Sequence, residues 1–222
     1  MTCTLQPRFI SDARPGNPFA TRYTRPGAVV PLDCRGRPID LDGLIERLGR
    51  LGGAAIAGPH GHGKSTLLLA LADRLAASGT PVTLLRVRRR GDARGVAAAI
   101  AAAPRGAAGL VDGWEGLGWL GRPLAIVASL RARTLLVTTH RVSGLPVLWH
   151  CRTSLAVLRG VVARLPDHHG LITATDLDAA FGRHGGNLRD SLSDLYDHVE
   201  RRAAGGPDVR VVLRKPIAAA AG

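Results

Sequence analysis

The chain has 222 residues and a mass of 23.3 kDa, with 45% hydrophobic and 21% charged residues. This ordinary globular composition excludes collagen, a coiled coil and wholesale disorder. The formal net charge of +13 favours an acidic partner, such as nucleic acid or a nucleotide phosphate. No apolar run approaches the roughly 18 residues that cross a bilayer, so we expect a cytoplasmic protein without a membrane partner. Its three cysteines lack the C-x-x-C spacing of a zinc or redox site.

The first part of the chain, residues 1–37, is rich in proline, arginine and glycine and is expected to wrap the domain as an extended segment. An amphipathic helix follows, with an apolar face formed by Leu41, Leu44, Ile45 and Leu48. Residues 53–57 then have the pattern of a short buried strand, and residues 66–79 predict a strong helix. We therefore expect an α/β core to begin near residue 38.

The segment between that strand and that helix has the spacing G-x-x-x-x-G-K-S, from Gly58 to Ser65. Its glycines permit the turns and the close approach that let main-chain N–H groups face a phosphate chain. Lys64 is expected to reach the β- and γ-phosphates, and the Ser65 hydroxyl to bind Mg²⁺. The helix that begins here offers its positive end to the same anion. The nucleotide-binding residues predicted from this motif are Gly58, Pro59, His60, Gly61, His62, Gly63, Lys64, Ser65 and Thr66.

Three further strand patterns occur over residues 81–87, 107–112 and 134–140, and a short fifth one covers residues 146–150. Strands that alternate with helices predict an α/β domain with a mainly parallel sheet, which we place at residues 38–152. The carboxyl ends of parallel strands share one edge with the phosphate loop. We therefore expect the Asp112 carboxylate to be the second Mg²⁺ ligand, and Thr139 and His140 to sense a γ-phosphate.

The pattern becomes purely helical over residues 153–203. The first helix of this part is expected to end at Pro166, a capping box of Thr175 with Asp178 to open the second, and Asn187 to cap the third. Within the core, Pro123 suits the first turn of a helix running to about Arg131. The remaining residues, 204–222, have no pattern and are expected to form a flexible tail.

With these elements in place, residues 40–203 resemble P-loop NTPases of the additional-strand class, and most of all the AAA+ and STAND ATPases. The resemblance implies a P-loop NTPase fold whose sheet is followed by a small all-helical lid, with ATP and Mg²⁺ as cofactors. Arg189, in the run Gly186 to Arg189, is similar to the sensor-2 arginine of these lids. Arginine fingers in AAA+ rings imply a homo-oligomer, for which the possible equivalents are Arg141 and Arg152.

One departure from that family concerns hydrolysis. Members that hydrolyse ATP well place an acidic residue directly after the aspartate that corresponds to Asp112, but this chain has Gly113 there. Glu115 lies three residues beyond Asp112 and is our candidate catalytic base. Together with Lys64 it completes the predicted catalytic pair, and we expect slow hydrolysis.

Neighbouring families fit less well. The loop is also similar to that of ABC ATPases, but no L-S-G-G-Q signature occurs, and the [NT]-K-x-D motif of Ras-type GTPases is missing too. The favoured function is an ATP-driven switch or motor module that acts on an unknown protein partner. Two alternatives stay open: a phosphotransferase with a small acceptor, and a nucleic-acid-binding adaptor in which nucleotide is structural. The adaptor would use a basic run containing Arg88, Arg89, Arg90 and Arg94.

Overall fold

The computed structural model describes residues 16–87, 93–128, 134–140, 143–166 and 170–204. The first half of the chain forms α1 (Thr21–Thr24), α2 (Leu41–Leu51), β1 (Gly53–Ala57), α3 (Lys64–Ala77), β2 (Val82–Arg86), α4 (Ala93–Ala101) and β3 (Ala108–Asp112). A 3₁₀ turn (Trp114–Leu117) comes next. The second half forms α5 (Gly118–Ala128), β4 (Thr134–Thr139), β5 (Val147–His150), α6 (Leu155–Val162), α7 (Ala174–Arg183) and α8 (Leu188–Ala203).

All five strands are parallel, and they lie in the order β2-β3-β4-β1-β5. The sheet confirms the predicted α/β class, with helices flanking a parallel sheet. Strand β4 lies between β1 and β3, so the strand before the glycine-rich loop and the strand that ends on Asp112 are not neighbours. The register aligns Ala57 with Thr139 and Arg86 with Asp112. Four strands therefore end close to one another, at the edge where the loop begins.

The two faces of the sheet bury different clusters. Ala54 and Ile56 of β1 pack with α2 and α3 on one face, whereas Ala55 packs with the 3₁₀ turn and α4 on the other. This alternation follows from the two-residue period of a strand. Trp114 is fully buried in the second cluster, where its Nε1 donates to the Ser143 carbonyl over 3.3 Å. The strand that leads into the loop is thus buried on both sides.

A third cluster joins α6, α7 and α8 with Phe19 from the first segment. Asn17 ties that segment to α8, because its Nδ2 donates to the Tyr196 carbonyl over 2.9 Å and to Glu200 Oε1 over 2.8 Å. The segment also contains the single helical turn α1 and an antiparallel bridge between Leu32 and Pro38. It is therefore less extended than predicted, since part of it packs against α6 to α8.

The start of α7 corrects one prediction. The N-cap is Thr173, whose hydroxyl accepts from the Asp176 amide while the Asp176 carboxylate accepts from the Thr173 amide. The predicted pair, Thr175 with Asp178, lies two residues further on and has the same spacing. The earlier pair starts the helix, and Asp178 instead accepts from Arg159 Nη2 over 2.7 Å. Two overlapping motifs cannot be ranked by spacing alone.

The position of Pro123 corrects another prediction, because it lies inside α5 rather than in its first turn. The 3₁₀ turn leads directly into α5, so the helix begins at Gly118. Because proline has no backbone N–H, α5 lacks one backbone hydrogen bond at Pro123. The predicted end near Arg131 falls outside the described residues, as do Arg88–Arg90, Arg141 and the tail. Among the helices that are described, none is long and apolar enough to cross a membrane.

Candidate functional site

The glycine-rich loop connects β1 to α3 at the carboxyl edge of the sheet. Gly61 and Gly63 have φ of 73° and 82°, a left-handed conformation that side chains rarely adopt. The amides of residues 61–66 donate to no group in the part of the chain that the structure describes. A helix start without a side-chain cap leaves its first N–H groups open. The loop therefore presents a continuous row of amide donors at the positive end of a 14-residue helix.

Lys64 is buried beneath this loop, with 7% of its surface exposed. Its Nζ donates to the carbonyls of Gly58 over 2.7 Å and Pro59 over 2.6 Å, and it lies 2.8 Å from His140 Nδ1. Burial lowers the pKa of Lys64 from 10.5 to about 8, against the opposing attraction of nearby acidic groups. The ammonium group is thus held inside the loop by three acceptors.

His140 follows β4 and stacks on His60, with ring centroids 3.5 Å apart. Burial, and then the charge of Lys64, hold the pKa of His140 below its usual value, so the imidazole is neutral. Its Nδ1 lies near both Lys64 Nζ and, at 3.1 Å, the Gly58 carbonyl. A neutral ring nitrogen cannot accept and donate at once, and the ammonium group can only donate. Nδ1 is therefore the acceptor for Lys64, and the proton of the ring is on Nε2.

Asp112 lies at the end of β3 beside the first turn of α3. Its Oδ1 accepts from Ser65 Oγ over 3.0 Å and from Thr138 Oγ1 over 2.7 Å, and its Oδ2 lies 3.4 Å from Arg86 Nε. Thr138 also accepts from the Gly113 amide over 2.9 Å, which holds the residue after Asp112 in place. The structure thus brings together the two predicted metal ligands, Ser65 and Asp112.

Glu115 has its carboxylate at the end of β4. Its Oε1 accepts from Thr139 Oγ1 over 2.7 Å and, in a shorter contact, from the amide of His140. Burial disfavours its charged form, but these hydrogen bonds outweigh burial and place the pKa of Glu115 below its usual value. An ionised carboxylate at this place fixes the end of β4. Thr139, one of the predicted sensors, faces Glu115.

A cavity of about 550 Å³ opens above the loop. Its floor includes His60 to Thr66, Asp112, Gly113, Thr138 and His140. Its opposite wall comes from the first segment and from α8, and includes Phe19, Thr24, Arg25, Pro26, Val29, Leu188, Arg189, Leu192 and Tyr196. This size is in the range of small-molecule sites, and the two sides differ in character, because most of the apolar lining residues belong to the wall opposite the loop.

The loop touches the start of α8. A Cβ atom placed on Gly61 would lie 1.8 Å from Asn187 Oδ1. That oxygen caps α8, as predicted, by accepting from the amides of Arg189 over 3.1 Å and Asp190 over 3.3 Å. The contact brings the first turn of α8 beside the loop, and Arg189 lines the cavity.

Most of the predicted site residues therefore meet in one place. Gly58 and Pro59 contribute through their carbonyls to Lys64, whereas Glu115 and Thr139 lie behind the floor of the cavity. The first segment was missed as part of the site, because loop composition carries no signal of what it packs against. Arg94 and Arg152 are exposed. No group of three or more His, Cys, Asp or Glu able to hold a metal occurs among the described residues.

Comparisons with known proteins give the fold. A chain from the structure of Drosophila ORC bound to DNA is similar, with a TM-score of 0.57 and 16% sequence identity over 92% of this chain. The match spans 66% of that chain, so this protein corresponds to about two thirds of its length. No protein-family model and no curated protein matches. The similarity to this ORC chain and the parallel sheet fit an AAA+-like fold.

Proposed function

We propose that this chain is an ATP-binding switch or motor module that uses Mg²⁺ and hydrolyses ATP slowly. The observation that carries the proposal is the row of open amides over residues 61–66 that surrounds the buried ammonium group of Lys64. Main-chain N–H groups, a helix start and a single cation form the arrangement that binds a phosphate chain. The AAA+-like fold supports the view that this phosphate chain belongs to a nucleotide.

The residues beside the loop fit a magnesium ion. Ser65 and Asp112 place a hydroxyl and a carboxylate 3.0 Å apart next to the first turn of α3. Mg²⁺ prefers oxygen ligands and is commonly held by one or two protein groups together with phosphates and water. When bound, the ion would neutralise charge on the terminal phosphates. Thr138 keeps the Asp112 carboxylate in position through Oδ1.

The wall opposite the loop suits a base and its sugar. Apolar side chains of Phe19, Val29, Leu188 and Leu192 line this wall, and Tyr196 adds an aromatic ring. A planar base buries its faces against such side chains. We assign adenine, because the sequence has no [NT]-K-x-D motif for guanine.

A helical lid would give this module its switch. Both the first segment and α8 line the cavity, and they share the cluster formed by α6 to α8. Arg189 is in the first turn of α8, where a γ-phosphate that attracts its guanidinium would draw α8 toward the loop. A ligand shifts such an equilibrium only by binding one state more tightly, and Arg189 supplies that difference.

Slow hydrolysis is supported by the two residues nearest to Asp112 that could assist the reaction. Gly113 offers no side chain to polarise water, and Glu115 is bonded to Thr139 and to the His140 amide. Both bonds are made to Oε1, and Glu115 does not line the cavity, so its carboxylate would have to move toward the phosphates to act as the catalytic base. Its assignment stays a prediction. We expect turnover at the low end of the usual range for enzymes, which is about 1 to 10³ per second.

Calorimetry with Mg²⁺ and ATP tests the binding proposal. We expect Lys64→Ala to weaken ATP affinity by about a hundredfold, because the buried cation facing the phosphates is lost. Arg105→Ala is the matched control, since it removes an exposed cation from the loop between α4 and β3. Equal ATP affinity in the parent and in Lys64→Ala would contradict the proposal. Thermal unfolding of each variant shows whether the fold survives.

Nucleic acid is a second candidate partner. The net charge of +13 favours it, and the chain in the similar structure belongs to an ORC assembly that is bound to DNA. In the described part of the predicted basic run, Arg94 is exposed at the start of α4. We expect DNA affinity to fall steeply between about 50 and 200 mM salt if phosphates are bound, so a flat response in a titration would remove this candidate.

A further inference from the structure

A second cavity, of about 730 Å³, adjoins the first. It shares Ser65, Asp112, Arg25 and Arg189 with the nucleotide cavity. The residues that belong to it and not to the first are Gly27, Ala28 and Arg86. The second cavity therefore begins beside the proposed metal site and extends toward the end of β2, and the large apolar residues of the first cavity do not line it.

Strand register places Arg86 in this cavity. Arg86 and Asp112 are aligned neighbours at the ends of β2 and β3, and Arg86 Nε lies 3.4 Å from Asp112 Oδ2. The Arg86 side chain is 47% exposed, against 16% for Asp112. A guanidinium has five N–H donors, and those of Arg86 form no hydrogen bond within the described part of the chain. Arg86 is thus anchored on one side and has donors left for a ligand.

The charges in the second cavity do not balance. Arg25, Arg86 and Arg189 line it, while its acidic lining is Asp112. Asp112 already accepts from Ser65 and Thr138 and is ion-paired with Arg86. In the part of the chain that is described, the guanidinium groups of Arg25 and Arg189 form no hydrogen bond or ion pair. The cavity therefore lacks an anion for two of its three cations.

The rest of the lining limits the kind of anion. Beyond the charged groups, the residues are Pro26, Gly27, Ala28 and Ser65, without an aromatic ring or a long apolar side chain. A base or a lipid chain has little to pack against here. Guanidinium groups bind carboxylate and phosphate in pairs of parallel hydrogen bonds. The chemistry fits a small ligand that consists mostly of its anionic group.

In the proposed switch a γ-phosphate attracts Arg189, but the triphosphate does not account for Arg86 or for the rest of this cavity. The open amides of the loop and Lys64 belong to the first cavity, and apart from Ser65 the loop does not line the second. An anion held by Arg86 would be a neighbour of the terminal phosphate, with Arg25 and Arg189 between the two negative charges. These arginines lower the repulsion that otherwise opposes binding both anions at once.

We propose that the second cavity is a subsite for a small phosphate-bearing ligand, which binds alongside the nucleotide and is held by Arg86 together with Arg25 and Arg189. This proposal depends on the proposed function only for the identity of the neighbouring ligand. It gives the chain a second anion site, at the end of β2, which shares Arg25 and Arg189 with the first cavity.

Calorimetric titration with inorganic phosphate tests the subsite in protein saturated with Mg²⁺ and a non-hydrolysable ATP analogue. We expect saturable binding of one phosphate, weakened about tenfold by Arg86→Gln because one charge-assisted contact is lost. Arg105→Gln, the matched control, should bind phosphate as the parent does. Any of three results would overturn the subsite. These are phosphate binding that does not saturate, release of the ATP analogue by phosphate, and phosphate binding by Arg86→Gln that is as tight as in the parent.

Two further experiments distinguish the subsite from phosphate binding at the loop and from nucleic-acid binding. In nucleotide-free protein, phosphate binding that is lost in Arg86→Gln but retained in Lys64→Ala supports the subsite even if the analogue fails to bind, which would overturn only the proposed function. Phosphate binding that is lost in Lys64→Ala but retained in Arg86→Gln would assign the phosphate to the loop and overturn the subsite. A short single-stranded oligonucleotide that displaces phosphate from the loaded protein would assign these arginines to nucleic acid and also overturn the small-ligand proposal.

Discussion

The floor and the wall of the cavity above the glycine-rich loop are held together in different ways. On the floor, Ser65, Asp112, Thr138 and Lys64 are held by hydrogen bonds at the ends of buried parallel strands. On the wall, the first segment and α8 meet through Phe19 and through two hydrogen bonds from Asn17. The floor is held by hydrogen bonds at the strand ends, whereas the wall combines the buried Phe19 with exposed hydrogen bonds from Asn17.

The difference teaches where this protein can move. A buried network that satisfies its own donors and acceptors is costly to rearrange. Exposed hydrogen bonds between distant segments open at low cost, and regions of low local stability are those used for binding and switching. We therefore expect nucleotide to leave the floor nearly unchanged and to alter the wall. Three changes test this comparison.

The largest effect is expected where floor and wall touch. Gly61→Ala adds a Cβ that meets the Asn187 oxygen, in a backbone conformation with φ of 73° that alanine disfavours. Strain and a weakened cap on α8 together should lower the free energy of unfolding by about 3 kcal/mol. Urea denaturation measures this loss. The control Gly49→Ala, on the exposed side of α2 with nothing within 4 Å, should be neutral or stabilising, and an equal loss in both would contradict the contact.

An intermediate effect concerns the floor alone and depends on pH. The pKa of Lys64 in the folded chain is about 8, against 10.5 ordinarily, so above pH 8 the folded state binds fewer protons than the unfolded one. Stability should therefore rise by about 1 kcal/mol from pH 8 to pH 9. ATP affinity should fall by about tenfold from pH 7 to pH 9, because the phosphates need the charged form.

Calorimetry and denaturation at several pH values measure ATP affinity and the free energy of unfolding. Lys64→Ala is the control, in which the pH dependence of both quantities should become weaker. Stability and affinity moving in the same direction in the parent would mean that Lys64 does not titrate in this range. Because stability is expected to rise with pH while ATP affinity falls, the two measurements together test the pKa of Lys64 more strictly than either one alone.

The smallest effect is expected on the wall. Asn17→Asp removes the donor to Tyr196 and places a carboxylate against Glu200, which now accepts from Asn17 over 2.8 Å. We expect a loss of about 1 kcal/mol in stability and a severalfold loss of ATP affinity. Glu200→Gln in the same chain should restore much of both, since its amide donates to the new carboxylate. Failure of this rescue would show that the contact does not hold the wall together.

Much of the floor was predictable because its residues lie in short motifs. The spacing from Gly58 to Ser65 located the loop, and an apolar run that ends on Asp112 located its carboxylate partner. The position of the Glu115 carboxylate was not predictable, because its hydrogen bonds with Thr139 and His140 depend on how the 3₁₀ turn lies against β4. Spacing likewise did not choose between Thr173 and Thr175 as the cap of α7.

By itself the sequence determined the alternation of strands and helices, the glycine-rich loop and the residues that carry its charge, because periodicity and glycine placement act over a few neighbours. Only the tertiary structure decided that the first segment and α8 close the cavity and that Arg86 lies beside Asp112. Those contacts join residues far apart in the chain, and they follow from strand order and from shared burial, which no local pattern encodes.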